Sequence, residues 1–158
     1  HIKQLEQKGY LRRNPANSAD YIVLKDPIKD ITYINLYGMA ECGPHGLLVE
    51  DNVIDRVPFS TKTFGVSDQV FLVKARGRSM EPYILENDLV LSLKQPTVES
   101  GEIGVVVHNN EPKIKKIIKS GAELILYSLN PKYDLETIKK DDDFAIIGKV
   151  KNIIHFTK

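Results

Sequence analysis

Beyond residue 30 the apolar residues fall in short runs, at 31–37, 70–75, 89–93, 103–107, 113–118, 124–127 and 145–156. These runs are rich in Val, Ile, Tyr and Phe, and most are too short for a stable helix. Such lengths and residue types favour strands. Turn-forming residues separate them: Glu86-Asn87-Asp88, His108-Asn109-Asn110, Ser120-Gly121 and Asn130-Pro131. No repeat or low-complexity tract interrupts the pattern. Most of the chain is therefore expected to be a mostly antiparallel β-domain.

The first residues differ. Ile2, Leu5 and the stem of Lys8 follow helical spacing, and Gly9 stands where a helix C-cap glycine would. Residues 10–13 and 21–24 read as two short strands, with the polar stretch 14–20 turning between them. Helix, strand, turn, strand is the order found at the end of a winged helix, so the chain reads as starting inside a helix, as a fragment or processed product. Residues 25–31, polar and proline-containing at their start, read as a linker. The expected division is 1–24 as the end of a winged-helix DNA-binding domain, 25–31 as linker, and 32–158 as the β-domain.

Composition removes several function classes. Lys and Arg number 22 against 21 Asp and Glu, a net charge of +1 that does not advertise nucleic-acid binding for the chain as a whole. Locally, Lys3, Lys8, Arg12 and Arg13 stand against the lone acid Glu6. No run approaches the roughly 18 apolar residues of a membrane span. A single cysteine, Cys42, leaves no internal disulfide framework and no Cys-rich zinc site. Together these suggest a reducing cytoplasm. His1, His45, His108 and His155 lack metal-ligand spacing and read as surface or turn residues, so no metal site is expected. No glycine-rich phosphate loop is present, and no cofactor is expected.

Two segments remain. Lys74-Ala75-Arg76-Gly77-Arg78-Ser79-Met80-Glu81-Pro82 follows an apolar strand directly and would expose a serine in a turn near free backbone N–H groups. Pro112-Lys113-Ile114-Lys115-Lys116-Ile117-Ile118 puts lysines in an apolar strand. Alternate strand side chains face opposite ways, so Lys113 and Lys115 share one face and Ile114 and Lys116 the other. A buried lysine loses its proton more readily, as a general base requires. By themselves these residues read as a turn serine and an edge-strand lysine without chemistry.

The two segments together are similar to the motifs of the LexA-like family of self-cleaving repressors. Gly77-Arg78-Ser79-Met80-Glu81-Pro82, followed by Glu86-Asn87-Asp88-Leu89-Val90, resembles the family's serine motif, and Lys113-Ile114-Lys115-Lys116-Ile117 its lysine strand. Gly101-Glu102-Ile103, Asn130-Pro131 and Ile147-Gly148-Lys149-Val150 fall where the family has them. Ala40-Glu41-Cys42-Gly43 resembles the self-cleavage site, and residues 1–13 resemble the end of a LexA winged helix. The sequence departs from the pattern at Lys113, where the family more often has Thr, and at Pro44 after the scissile glycine.

The resemblance implies a Ser–Lys peptidase β-domain preceded by the C-terminal remnant of a winged helix-turn-helix domain. It implies Ser79 as nucleophile and Lys115, rather than Lys113 or Lys116, as base. It makes the bond between Cys42 and Gly43 the scissile one, with Ala40 as the small residue two before Cys42. Oxyanion donors are implied at the backbone of Arg78 and Ser79, and phosphate contacts at Arg12 and Arg13. The implied partners are operator DNA for the full-length protein, a RecA–single-stranded DNA filament as co-protease in the DNA-damage (SOS) response, and a second copy bound through the C-terminal domain, with residues 144–156 as the pairing edge. A UmuD-like polymerase accessory factor activated by self-cleavage, or a phage or mobile-element repressor, is the alternative reading.

Overall fold

The structure is a computed structural model and describes residues 2–26, 30–42, 48, 50–64 and 69–157. It opens with the short helix α1 (Ile2–Gln7). Gly9 ends it with a φ of +77°, a backbone conformation open to glycine and costly for side-chained residues. Its N–H donates to the Glu6 carbonyl at 3.0 Å and that of Tyr10 to Leu5 at 2.9 Å, the paired closure of a helix end that needs a left-handed residue. Strands β1 (Leu11–Asn14) and β2 (Asn17–Val23) then form an antiparallel hairpin of their own. The turn is tighter than the expected 14–20. Asn14 and Asn17 side chains accept from the N–H groups of Ala16 and Ala19, so the polar residues after Pro15 already belong to the strand.

Among the described residues, ten strands make the main sheet: β3 (Lys25–Asp26), β4 (Ile31–Gly38), β5 (Asp55–Ser60), β6 (Val70–Lys74), β7 (Leu89–Lys94), β8 (Ile103–His108), β9 (Glu111–Ser120), β10 (Glu123–Tyr127), β11 (Glu136–Thr137) and β12 (Phe144–Ile154). Their order is β11-β10-β9-β8-β12-β7-β6-β4-β3, with β5 paired to β4. Among the described residues, every pairing is antiparallel except β4 with β6. The mostly β architecture expected from the apolar runs is the one observed.

Three strands escape the sequence reading, each for a local reason. β3 lies in the stretch read as linker: Lys25 and Asp26 pair with Thr32 and Ile31, while residues 27–29 lie outside the described ones. β5 carries Pro58 and mixed polarity, which an edge position tolerates because no further ladder bond is needed on that side. β11 is two residues long. A four-residue helix, α2 (Thr61–Phe64), follows β5.

β12 corrects an expectation. As a whole it is an interior strand: residues 144–149 pair to β8 and 148–154 to β7, with a bulge in each ladder, so the two ladders overlap at Gly148 and Lys149. Among the described residues, 150–154 lack a partner on the β8 side and 144–147 lack one on the β7 side, so each open stretch is only about half of the run.

The largest core cluster gathers Tyr37, Phe71, Val73, Met80, Ile84, Val90, Val105 and Ile147, with Met39 and Cys42. Gly148 sits where β12 changes partner. A Cβ there would lie 2.6 Å from the Leu93 carbonyl oxygen and 2.7 Å from the Phe71 ring. The carbonyl cannot swing aside as a side-chain tip can. Gly148→Ala should therefore destabilise the domain by about 3 kcal/mol, read as a lower urea midpoint at unchanged slope.

Candidate active site

Parallel strands leave a sheet at the same end. β4 runs out at Gly38, opposite Lys74, the last residue of β6. The segment after β4 and the loop after β6 therefore begin side by side. The first carries Met39, Ala40 and Cys42; the second carries Ser79.

The Ser79 loop is closed at its neck. The Ala75 N–H donates to the Asp88 carbonyl at 2.8 Å, and the Asn87 N–H returns to Ala75 at 2.9 Å. The Asp88 carboxylate, 2% exposed, accepts from the Leu85 N–H at 2.8 Å and meets His155 Nδ1 at 2.6 Å. Gly77 makes the reversal with a φ of +80°. Met80 and Ile84 insert into the core, so Ser79 is carried on a short turn anchored just beyond it. Asn130 holds that turn from outside. Its Nδ2 donates to the Arg78 carbonyl and its backbone N–H to the Ser79 carbonyl, both at 2.9 Å. Among the described residues no carbonyl receives the N–H of Arg78 or of Ser79.

Lys115 approaches from β9. Lys113 and Lys115 line the same cleft as Ser79, as does Ile114 between them, and Lys116 does not. Lys115 is 6% exposed, and burial pushes its pKa below that of an ordinary lysine. The carboxylate of Glu136 opposes that shift and Lys113 adds to it. Lys115 Nζ donates to Ser128 Oγ at 2.7 Å, and among the described residues no hydrogen bond joins it to Ser79. Lys113 is engaged elsewhere, 2.6 Å from Glu136. The Tyr133 ring covers the lysine, its centroid 5.8 Å from Nζ.

The cleft measures about 730 Å3, and Met39 and Ala40 form part of its wall. Residues Met39–Glu41 make a single 3₁₀ turn, and Cys42 follows it, buried in the main core cluster. The cysteine thus packs as a small apolar side chain. Gly43, Pro44, His45 and Gly46 lie outside the described residues, as does His1. A serine, a buried lysine of lowered pKa and a strip of the same chain therefore meet in one cleft. Such an arrangement suits nucleophilic attack on a peptide carbonyl, with a neutral amine taking the hydroxyl proton.

Arg12 and Arg13 fare differently. The Arg12 guanidinium pairs with Glu50, which also binds Arg56 and accepts from Asn35. Burial pushes the Glu50 pKa up, but the two guanidinium groups outweigh it and hold the carboxyl below its usual value. Arg13 is largely exposed, stacked on Tyr21 at 5.7 Å and 3.7 Å from Glu6. Among the described residues no group of three or more His, Cys, Asp or Glu is placed to hold a metal ion, and no helix is long and apolar enough to cross a membrane.

The sequence reading misses Ser128, and Asn130 enters it only as a landmark. One signal for Ser128 is present. The Ser120-Gly121 turn sets Ser120 opposite Glu123, and counting along the strands from there reaches Tyr127 opposite Lys116. One further step puts Ser128 opposite Lys115.

The family model for S24-like peptidases matches residues 35–151. A LexA repressor of Clostridium novyi (strain NT) is 33% identical over 156 residues, which cover 97% of this chain and 76% of the relative. The LexA repressor of Caldicellulosiruptor saccharolyticus is 28% identical over 98% of this chain and 76% of its own length. That of Mycobacterium marinum is 29% identical over 97% and 68%.

Proposed function

Because this chain belongs to the S24-like peptidases, within the LexA-like self-cleaving family, we propose that it is a transcriptional repressor that inactivates itself by cutting its own Cys42-Gly43 bond. The observation that carries the reading is the shared cleft. Ser79, buried Lys115 and the Met39-Ala40 wall, which leads directly into Cys42, come together there.

The chemistry is acyl transfer within one chain. Ser79 Oγ attacks the Cys42 carbonyl carbon while neutral Lys115 takes the hydroxyl proton. The oxyanion is met by the backbone N–H groups of Arg78 and Ser79. The C–N bond then breaks, and Lys115 returns the proton to the Gly43 amine. A water molecule, deprotonated by the same lysine, hydrolyses the Ser79 ester and frees the Cys42 carboxylate. Tethering supplies a high effective molarity, so the rate is set by how often residues 39–43 dock in the cleft. A partner that binds only the docked form raises that population; the RecA–single-stranded DNA filament of the SOS response is the partner this reading names.

Residues 1–24 serve as the end of a winged-helix domain, with exposed Arg13 contacting operator phosphates, and Arg12 doing so where it exchanges Glu50 for a phosphate; such contacts orient a protein on DNA without reading its sequence. The relatives' alignments span nearly the whole chain, and their name supports the repressor over a polymerase accessory factor. A second copy pairs along residues 150–154, a stretch of β12 paired on one side. The protein works in the cytoplasm, where its target DNA is.

Incubation with no other protease should yield two fragments, one ending at Cys42 and one beginning at Gly43, as read by mass spectrometry. Cleavage at another bond, or none even at alkaline pH, would sink the assignment.

A further inference from the structure

We propose that Ser128 is a positioning residue for self-cleavage: its hydroxyl holds the Lys115 amine in the orientation that turns its lone pair toward Ser79. The proposal rests on the Ser–Lys reading above and adds a residue to it. Ser128 Oγ accepts from Lys115 Nζ at 2.7 Å, and Ser128 is 3% exposed, so water does not compete for the contact. A lysine side chain has a flexible four-carbon stem and would otherwise sweep its amine through a wide arc. The neutral amine has two N–H groups and one lone pair. Engaging one N–H leaves the lone pair for a proton acceptor role and removes rotamers that point it elsewhere.

The short segment 128–130 is itself fixed. Leu129 packs against the main core cluster, between two residues that each bond to the site. Ser128 holds the lysine, and Asn130 holds the Arg78 and Ser79 carbonyls at 2.9 Å each. One rigid stretch of chain therefore sets the distance between nucleophile and base. Lys113, on the same strand face, cannot substitute for Ser128, because its amine is paired with Glu136 and it carries no acceptor.

The charges acting on Lys115 are Glu136 of β11 and Glu111 and Lys113 of β9, with the Tyr133 ring above it. None of these is altered by changing Ser128. A hydroxyl that accepts from the ammonium also favours the charged form, so its loss should lower the pH midpoint of cleavage as well as the limiting rate.

The test compares Ser128→Thr with Ser128→Val, side chains of the same shape that differ by the hydroxyl, with Ser128→Ala beside them. First-order self-cleavage of the full chain is followed from pH ~6 to ~11, and folding is checked by near-ultraviolet circular dichroism. The Ser128→Thr variant should keep the limiting rate within a few-fold. Ser128→Val and Ser128→Ala should lose about tenfold or more at the alkaline limit, the size expected for one hydrogen bond to the ammonium that forms as Lys115 takes the proton, and their midpoints should move to lower pH. A purely structural role would lower the limiting rate without moving the midpoint, and that outcome overturns the proposal. So does equal behaviour of Ser128→Thr and Ser128→Val. Should Ser128→Val or Ser128→Ala not fold, the midpoint is read instead from the Lys115 amine by nuclear magnetic resonance in Ser79→Ala protein, comparing the parent chain with its Ser128→Thr and Ser128→Cys variants; a midpoint unmoved by loss of the hydroxyl overturns the proposal there too. Ser79→Ala and Lys115→Ala run in parallel. If either cleaves at the wild-type rate, the Ser–Lys reading itself has failed. If both are inactive while Ser128→Thr and Ser128→Val match, only the role of Ser128 has.

Discussion

Ser79→Ala should abolish self-cleavage, and Lys115→Ala should slow it by about 10²–10⁴-fold, the range expected when a positioned base is lost. Lys116→Ala should stay within a few-fold of the wild type. The two lysine variants differ by strand geometry alone. Lys115 lines the cleft with Ser79 and is 6% exposed, whereas its neighbour Lys116 leaves the other face of β9, opposite Ile103 and Tyr127. Ser79 sits on a turn held by its neighbours, with Met80 and Ile84 in the core and Asn130 bonded to the turn's carbonyls. Truncating its hydroxyl therefore removes the nucleophile and leaves the loop standing. The measurement is the fraction of intact chain against time, with circular dichroism to verify folding. An active Lys115→Ala together with an inactive Lys116→Ala would move the base by one residue and invert the face of β9 that does the chemistry.

The second large effect is on pH. Attack requires the neutral amine, and an ordinary lysine loses its proton near pH ~10.4. Burial lowers the Lys115 pKa from that value. Below its pKa the neutral fraction grows about tenfold per unit, so the cleavage rate should climb steeply from neutral pH and flatten before ~10.4. A histidine base would instead level off above pH ~7.5. A bare-protein profile flat above neutrality would exclude Lys115 as the base. A partner that stabilises the docked segment favours the neutral lysine further and should flatten the slope.

The same shift has a consequence for stability, and its sign is fixed by linkage. In the folded chain the lysine pKa is lowered, so between that pKa and ~10.4 the unfolded chain binds more protons than the folded one. Stability should rise with pH across this window. Below the folded pKa both states carry the proton and the cost of burying the ammonium is fully present. In non-cleaving Ser79→Ala protein, the urea midpoint should show this rise, and adding Lys115→Met should remove it.

Much of this is legible in the residues themselves. Periodicity and turn residues mark nine strands to within a few positions, since an apolar run bounded by Asn, Asp or Gly carries its own start and stop. Gly9 announces the end of α1 because the required backbone conformation is nearly restricted to glycine. Strand alternation alone puts Lys115 and Lys116 on opposite faces. The strands that escape it, β3, β5 and β11, are short or polar edge segments whose existence depends on a neighbour offering its hydrogen bonds.

Local pattern therefore determined which segments are strands, where they turn and which face each lysine takes, because these follow from backbone sterics and a repeat of two. Tertiary structure decided what no local pattern encodes. It placed β12 between β7 and β8 instead of at an edge, and it ran β4 parallel to β6, so that Met39 and Ala40 reach the cleft of Ser79. It also brought Ser128 to Lys115 and Asn130 to the Ser79 turn, across 13 and 52 residues of chain. The lowered pKa of Lys115 belongs with these, because desolvation is a property of everything packed around an amine and of nothing in the amine's own stretch of sequence.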